Sequence, residues 1–218
     1  MSEGLVLAID TSFGPVAATL MTMKLGLLGR IEADNPSGQQ AETLPPLVAK
    51  LFEDQDIKRL VRVAATVGPG AFTGVRVGLA FAKGLRLATG AAVMGFTTLE
   101  CLAAQAANDR PCASVGVAID ARRGEVYAQA FSHLAEPLSD AAVLPVAEAE
   151  AMLHRTLKPR TLLTGSGVPL LDGFGEMETV PFQRIDTELL ARRAALADPT
   201  RYPATPAYLR APDARLPA

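Results

Sequence analysis

The sequence predicts an α/β protein with two similar lobes, and three observations support this fold class. Apolar, strand-like runs alternate with stretches of helical periodicity along the chain. An apolar run that ends on an acid, LVLAID at residues 5–10, recurs as SVGVAID at residues 114–120. A tight turn and a second strand-like run follow both copies, so each copy predicts an antiparallel hairpin within a mixed sheet. This self-similarity indicates a duplicated architecture.

The first half of the chain contains the clearer helical pattern. One apolar face is formed by residues spaced three and four apart; they are Leu44, Leu47, Val48, Leu51 and Phe52. Further helices are predicted at residues 73–88, where Thr73 can cap the start, and at residues 97–107. The predicted strands of this half are residues 5–10, 16–21, 27–32, 61–67 and 91–94.

The second half repeats the alternation of strands and helices. Its predicted strands are residues 114–120, 125–131 and 161–164, and its helices are residues 146–157 and 187–197. A proline-rich tail follows from Pro199. We therefore predict an N-terminal lobe at residues 1–100 and a C-terminal lobe at residues 101–200. The arm at residues 201–218 is expected to pack back on the first lobe.

The helix at residues 73–88 carries two stripes of small residues. Gly74, Gly78 and Ala82 recur every four residues, and so do Ala80, Gly84 and Ala88. A glycine inside a helix costs about 1 kcal/mol relative to alanine, so these glycines need a compensating contact. Small side chains allow a second element to approach closely. The first stripe predicts either close packing inside the chain or a subunit interface.

Acidic residues end both copies of the repeated strand. Asp10-Thr11-Ser12 forms an acid-plus-hydroxyl turn of the kind that holds Mg²⁺ and phosphate in phosphotransfer folds, and we predict it to be a vestigial nucleotide-binding site. The alternative is an aspartate that only orders its own turn.

The loop at residues 68–74 could hold an anion at a helix start, but it matches neither a Walker A motif nor GxGxxG. Gly165-Ser166-Gly167 is the one candidate for an adenosine pocket.

Residues that could carry catalysis are scarce. The two histidines, His133 and His154, stand in no recognisable motif, and the two cysteines, Cys101 and Cys112, lack metal-ligand spacing. No Ser-His-Asp or Cys-His arrangement is suggested. We therefore predict no catalytic residue, no metal site and no cofactor.

The charge balance limits the possible partners. Lys and Arg number 21 against 23 Asp and Glu, a net charge of −2. Proteins that grip RNA by its phosphates usually show a basic excess, so any RNA contact should be carried mostly by another component. No run approaches the roughly 18 apolar residues of a membrane span, and no signal peptide is visible. These features predict a cytoplasmic protein that does not contact membranes.

Six segments identify a resemblance to a known family. They are LAIDTS at residues 7–12, QAETLPPLV at 40–48, VGPGAFTGVRVGLAFAKGL at 67–85, GFTTLECLA at 95–103, AIDARRGEVYAQAF at 118–131 and PAYLR at 206–210. Their order and spacing are those of the TsaB (YeaZ) family, which the chain resembles over nearly its whole length. One departure is Gln40, where many relatives have histidine.

The resemblance implies both a fold and a role. The fold is that of actin, sugar kinases and Hsp70, with two lobes that each contain a mixed sheet and helices. The role is that of a non-catalytic subunit that dimerises with TsaD and works with the ATPase TsaE. TsaD transfers threonylcarbamoyl to the adenosine beside the anticodon of ANN-reading tRNAs. The resemblance also implies tRNA contact only through the complex, and a possible homodimer of the lone chain.

The resemblance further assigns roles to individual positions. TsaD carries its metal on an HxxxH pair, and Thr98 and Leu102 stand at those positions here. Neither side chain can replace an imidazole at a metal. The helices at residues 44–52 and 73–88 are expected to pair with their counterparts in TsaD. The predicted interface residues are Leu44, Leu47, Val48, Leu51, Gly74, Gly78 and Ala82. The rival hypothesis is an independent small-molecule phosphotransferase of the same fold.

Overall fold

The computed structural model describes residues 3–34, 38–175 and 177–210, and it contains two five-stranded mixed sheets. The first sheet has the order β3-β2-β1-β4-β5, with β1 antiparallel to β2 and parallel to β4. All six residues of β1 are buried because both faces of this sheet are covered. The strands are β1 (Leu5–Asp10), β2 (Val16–Thr22), β3 (Leu27–Ala33), β4 (Leu60–Thr66) and β5 (Ala92–Phe96).

The second sheet repeats the arrangement of the first. Its order is β10-β9-β6-β7-β8, and its central strand β6 is antiparallel to β7 and parallel to β9. Read from β8, this order matches that of the first sheet strand for strand, which confirms the predicted duplication. The strands are β6 (Ser114–Arg122), β7 (Glu125–Ser132), β8 (Ala142–Pro145), β9 (Thr161–Thr164) and β10 (Glu178–Val180).

The five helices form layers around the two sheets. Helices α1 (Gln40–Leu51) and α2 (Phe72–Thr89) pack on the outer face of the first sheet. Helix α4 (Val146–Thr156) packs on the outer face of the second. Helices α3 (Thr98–Asp109) and α5 (Thr187–Leu196) lie between the sheets, within one apolar core that is continuous from β1 to β6. Among the described residues, none of these helices has the length and apolar composition needed to span a bilayer.

Helix α5 belongs to the first sheet rather than to the second. Its buried residues Leu190, Ala191 and Ala194 pack in the core beside β1 and β2. The Arg62 guanidinium of β4 donates to the carbonyl oxygen of Ala197 at 2.8 Å and so satisfies the end of the helix. Helix α5 falls within the predicted C-terminal lobe at residues 101–200 but packs on the first sheet, because tertiary packing, not position in the chain, determines where it lies.

The chain beyond α5 runs back over the first lobe. The Tyr202 ring stacks on Phe96 with centroids 4.3 Å apart, and its carbonyl accepts a hydrogen bond from Gly95 at 3.0 Å. Further on, the Ala207 backbone N–H donates to the Val67 carbonyl at 2.8 Å. The arm therefore covers the carboxyl ends of β4 and β5.

The last described residue of the arm contacts the second lobe. Arg210 donates to the carbonyl of Ala121 at 2.9 Å and forms an ion pair with Glu125. The arm was expected on the first lobe alone, whereas its described part joins the two lobes. Residues 211–218 of the predicted arm lie outside the described residues.

Candidate functional site

The turn after β1 forms a closed polar cluster. Asp10 ends the strand, and its Oδ1 accepts hydrogen bonds from the Ser12 backbone N–H at 2.9 Å and from Thr66 Oγ1 at 2.5 Å. Ser12 Oγ lies 2.8 Å from the same oxygen and 3.4 Å from the Thr98 hydroxyl. Asp10 is 1% exposed, and Thr11 and Ser12 are each 4% exposed. The cluster orders its own turn, and bulk solvent does not reach it.

The carboxyl of Asp10 sits in an unfavourable place for a charge. Its second oxygen, Oδ2, is buried without a hydrogen-bond partner. Burial raises the pKa of this carboxyl above its ordinary value, and the hydrogen bonds from Thr66 and Ser12 act in the opposite direction. Among the described residues, no three His, Cys, Asp or Glu side chains group closely enough to hold a metal ion.

The first turns of α2 close this cluster from outside. The Ala71 N–H donates to the Ser12 carbonyl at 2.9 Å, and Thr11 Oγ1 donates to the Gly74 carbonyl at 2.6 Å. A Cβ atom at Gly78 would lie 2.6 Å from Thr11 Oγ1, and one at Gly74 would overlap the Thr11 carbonyl oxygen more severely. The vestigial nucleotide site predicted at Asp10, Thr11 and Ser12 is thus a buried turn, and the backbone of α2 fills the space beside it.

The same contacts settle which way the first small-residue stripe faces. Gly74 and Gly78 pack on Thr11, and Ala82 is buried in the core of the first lobe. Leu44 and Val48 of α1 are buried in the same core. These five predicted interface residues hold their helices against the chain's own sheet and present no surface to a partner. Leu47 and Leu51 are half-buried against that core.

The outward face of α2 is formed by the second stripe. Ala80, Gly84 and Ala88 are exposed, and a Cβ atom built on Gly84 would meet nothing within 4 Å. Leu87 lies on the same face and is 90% exposed. The small side chains of this face leave room for a second helix to approach closely. The sequence showed this stripe, but nothing in its periodicity distinguished it from the buried one.

The second lobe closes its corresponding turn in a similar way. Asp120 Oδ1 accepts from the Arg122 N–H at 2.7 Å, so this aspartate also orders its own turn. A Cβ atom at Gly167 would lie 2.9 Å from the Asp120 nitrogen, and one at Gly165 would overlap the Ala118 carbonyl. The predicted adenosine pocket at residues 165–167 is therefore filled by β6, and the phosphotransferase hypothesis has no open site here.

Thr98 and Leu102 occupy the interior of the molecule. Both are fully buried in the first turns of α3, and Leu102 packs in the core between the sheets. The Thr98 N–H donates to the Gly68 carbonyl at 2.9 Å. A hydroxyl and an isobutyl group at these positions supply no imidazole to a metal.

The raised pKa of Asp10 predicts the pH dependence of stability. The folded chain binds this proton at a higher pH than the unfolded chain does. As the pH falls from 7 towards 4, the wild type should therefore gain free energy of unfolding relative to Asp10→Asn, which keeps the Oδ1 acceptor but does not titrate. Urea unfolding of both proteins across this range measures the difference. A difference that stays constant or shrinks on acidification would contradict the assignment.

Comparisons with known proteins agree with these observations. The family model described as "TsaD: tRNA N6-adenosine threonylcarbamoyltransferase" matches residues 36–169, more than half of the chain. The tRNA threonylcarbamoyladenosine biosynthesis protein TsaB of Buchnera aphidicola is 30% identical over 125 residues. That match covers 56% of this chain and 58% of the relative's length.

Solved structures show the same fold. YeaZ from Pseudomonas aeruginosa superposes with a TM-score of 0.73 at 24% identity, over 94% of this chain and all of the other. Component A of (R)-2-hydroxyglutaryl-CoA dehydratase from Acidaminococcus fermentans gives a TM-score of 0.52 at 10% identity. This superposition covers 91% of this chain and 98% of the other. The two-lobed architecture of the actin and sugar-kinase type is thereby confirmed. With its motifs and these matches, the chain belongs to the TsaB (YeaZ) family, whose members are related to TsaD.

Proposed function

We propose that this chain is a non-catalytic subunit that dimerises with TsaD and supports threonylcarbamoyl transfer to tRNA. The names of its relatives support the pathway, since they refer to threonylcarbamoyladenosine biosynthesis and to the transferase itself. The observation that carries the non-catalytic role is the burial of Thr98 and Leu102, the two residues that the family resemblance places where TsaD has its metal-binding histidines. The closed cluster at Asp10 supports the same non-catalytic role, because a substrate has no path to that carboxyl.

The structure also suggests which surface meets the partner. Helices α1 and α2 cover the first sheet with their buried faces, so only their outward faces can take part in an interface. On α2 this face comprises Ala80, Gly84 and Leu87, and on α1 it includes Ala41 and Pro45. We propose that a helix of TsaD packs along these residues, with Leu87 as the buried anchor. The same face could join two copies of the lone chain, and TsaE and tRNA would associate with the complex.

The lone chain should form no modified tRNA. The reason is that Asp10 is buried and that, among the described residues, no group of three His, Cys, Asp or Glu side chains could hold a metal ion. A single-turnover assay with threonylcarbamoyl-adenylate and an ANN-reading tRNA transcript measures this directly. The control adds TsaD and TsaE and should restore product. Product made by the lone chain would overturn the proposed role.

A further inference from the structure

One end of the second lobe carries a concentration of positive charge. Arg155 lies in the last turn of α4, and Lys158 and Arg160 lie in the turn that leads to β9. All three side chains belong to exposed residues. Residues 151–171 contain no aspartate or glutamate. We call these three residues the basic end. Its charge is local, since the whole chain has a net charge of −2.

Within the described part of the chain, the basic end has no compensating partner. The side chains of Arg155, Lys158 and Arg160 form no ion pair or hydrogen bond there. The neighbouring turn contains Arg110, and the nearby acids Asp109 and Glu178 are both bonded to that arginine. Among the described residues, nothing therefore neutralises the three charges, and all three residues are exposed.

The backbone holds the basic end in a conformation that is unusual for its sequence. Arg160 has a φ of 64°, in the left-handed region that arginine rarely adopts. Its carbonyl accepts a hydrogen bond from the Ala113 N–H at 3.0 Å, which ties the turn to the start of β6. This hydrogen bond fixes the backbone of Arg160 beside the central strand of the second sheet.

The position of the basic end keeps it clear of the proposed partner surface. Helix α4 covers the outer face of the second sheet, whereas α1 and α2 cover the outer face of the first, with α3 and α5 between the two sheets. A protein bound on α2 would leave the basic end exposed. The names of the relatives refer to tRNA, so RNA is the polyanion that we consider as the ligand of the basic end.

We propose that the basic end binds phosphates of the tRNA backbone while the chain is held in the complex with TsaD. This inference rests on the proposed function. Three phosphate contacts are too few for tight binding by the lone chain, and they require the complex to bring the RNA close. Phosphate contacts of this kind position the RNA and carry no sequence preference.

The test measures how RNA affinity depends on salt. Each phosphate contact contributes about −0.9 to the slope of log K against log salt for duplex RNA, by analogy with duplex DNA. Replacing Arg155, Lys158 and Arg160 by alanine in the complex with TsaD should reduce the slope by about 2 to 3. The probe is an unmodified tRNA transcript that reads an ANN codon, titrated by fluorescence anisotropy between 50 and 200 mM salt, a range of about fourfold. The single variant Lys158→Ala should reduce the slope by about 1. This variant replaces the triple variant in the test if the triple variant does not fold.

A matched control separates a local contact from the effect of net charge. Lys24, Lys58 and Arg201 are exposed cations elsewhere on the chain, and replacing all three by alanine removes the same charge. This control should keep the wild-type slope. An equal reduction of the slope in both triple variants, or no reduction in either, would overturn the proposal.

Calorimetric titration with TsaD checks the complex separately, and failure of the wild type to associate would refute the proposed function itself. If the basic-end variant lost affinity for TsaD while its RNA slope stayed unchanged, the surface would contact protein instead of RNA.

Discussion

Replacing Gly74 with alanine should strongly destabilise the isolated chain. The new methyl group would overlap the backbone carbonyl of Thr11, which is fixed because Thr11 Oγ1 donates back to the Gly74 carbonyl at 2.6 Å. Relieving the overlap requires α2 to move away from the turn after β1. We expect a loss of about 3 kcal/mol or more, at the upper end of what overpacking costs. That loss is a large fraction of the roughly 5–15 kcal/mol that stabilises a typical domain.

The matched control for Gly74 lies ten residues along the same helix. Gly84→Ala makes the same substitution where the new methyl group meets nothing within 4 Å. It should stabilise the chain by about 0.5–1 kcal/mol, because alanine is the better helix former. Urea unfolding of both variants measures the two free energies. Equal stability of Gly74→Ala and Gly84→Ala would contradict the packing of α2 on Thr11.

Replacing Leu87 with aspartate should abolish tight binding of TsaD without affecting the fold. Leu87 is 90% exposed, so its substitution should leave the core intact and cost only about 1 kcal/mol, because aspartate is a poorer helix former and its charge opposes the dipole in the last turn of α2. If a partner helix covers this side chain, a carboxylate there would be buried without a counter-charge. Losses of about 2 kcal/mol or more are typical of such anchors, which corresponds to a 30-fold or greater fall in affinity.

Calorimetric titration of TsaD with the variant tests the interface. Leu134→Asp is the matched control, since Leu134 is 65% exposed in the turn after β7 and lies on the second lobe. This control should bind as the wild type does. Normal affinity of Leu87→Asp for TsaD would show that the interface lies elsewhere than on the outward face of α2. A loss of stability well above about 1 kcal/mol would show that Leu87 supports the fold.

Much of the fold could be predicted from the sequence because its signals are local. The hairpins that begin with LVLAID and SVGVAID carry their strand period and their turn within about 20 residues each. Helices α1 to α5 likewise follow from apolar periodicity. The strands β8 and β10 were missed. They have only four and three residues, which is too short for an alternation pattern, and their pairing with β7 and β9 defines them.

The sequence by itself determined the α/β class, the duplication and the family, because these depend on periodicity and on motifs in order. Only the tertiary structure decided that α5 packs on the first sheet and that the arm reaches Ala121. It also decided the roles of the two stripes on α2. Helical periodicity defines which residues share a face, but it does not say what the face meets. Gly74 and Gly78 face inwards because Thr11, which is 63 residues from Gly74 in the chain, packs against them. Gly84 faces outwards because no other part of the described chain packs against it.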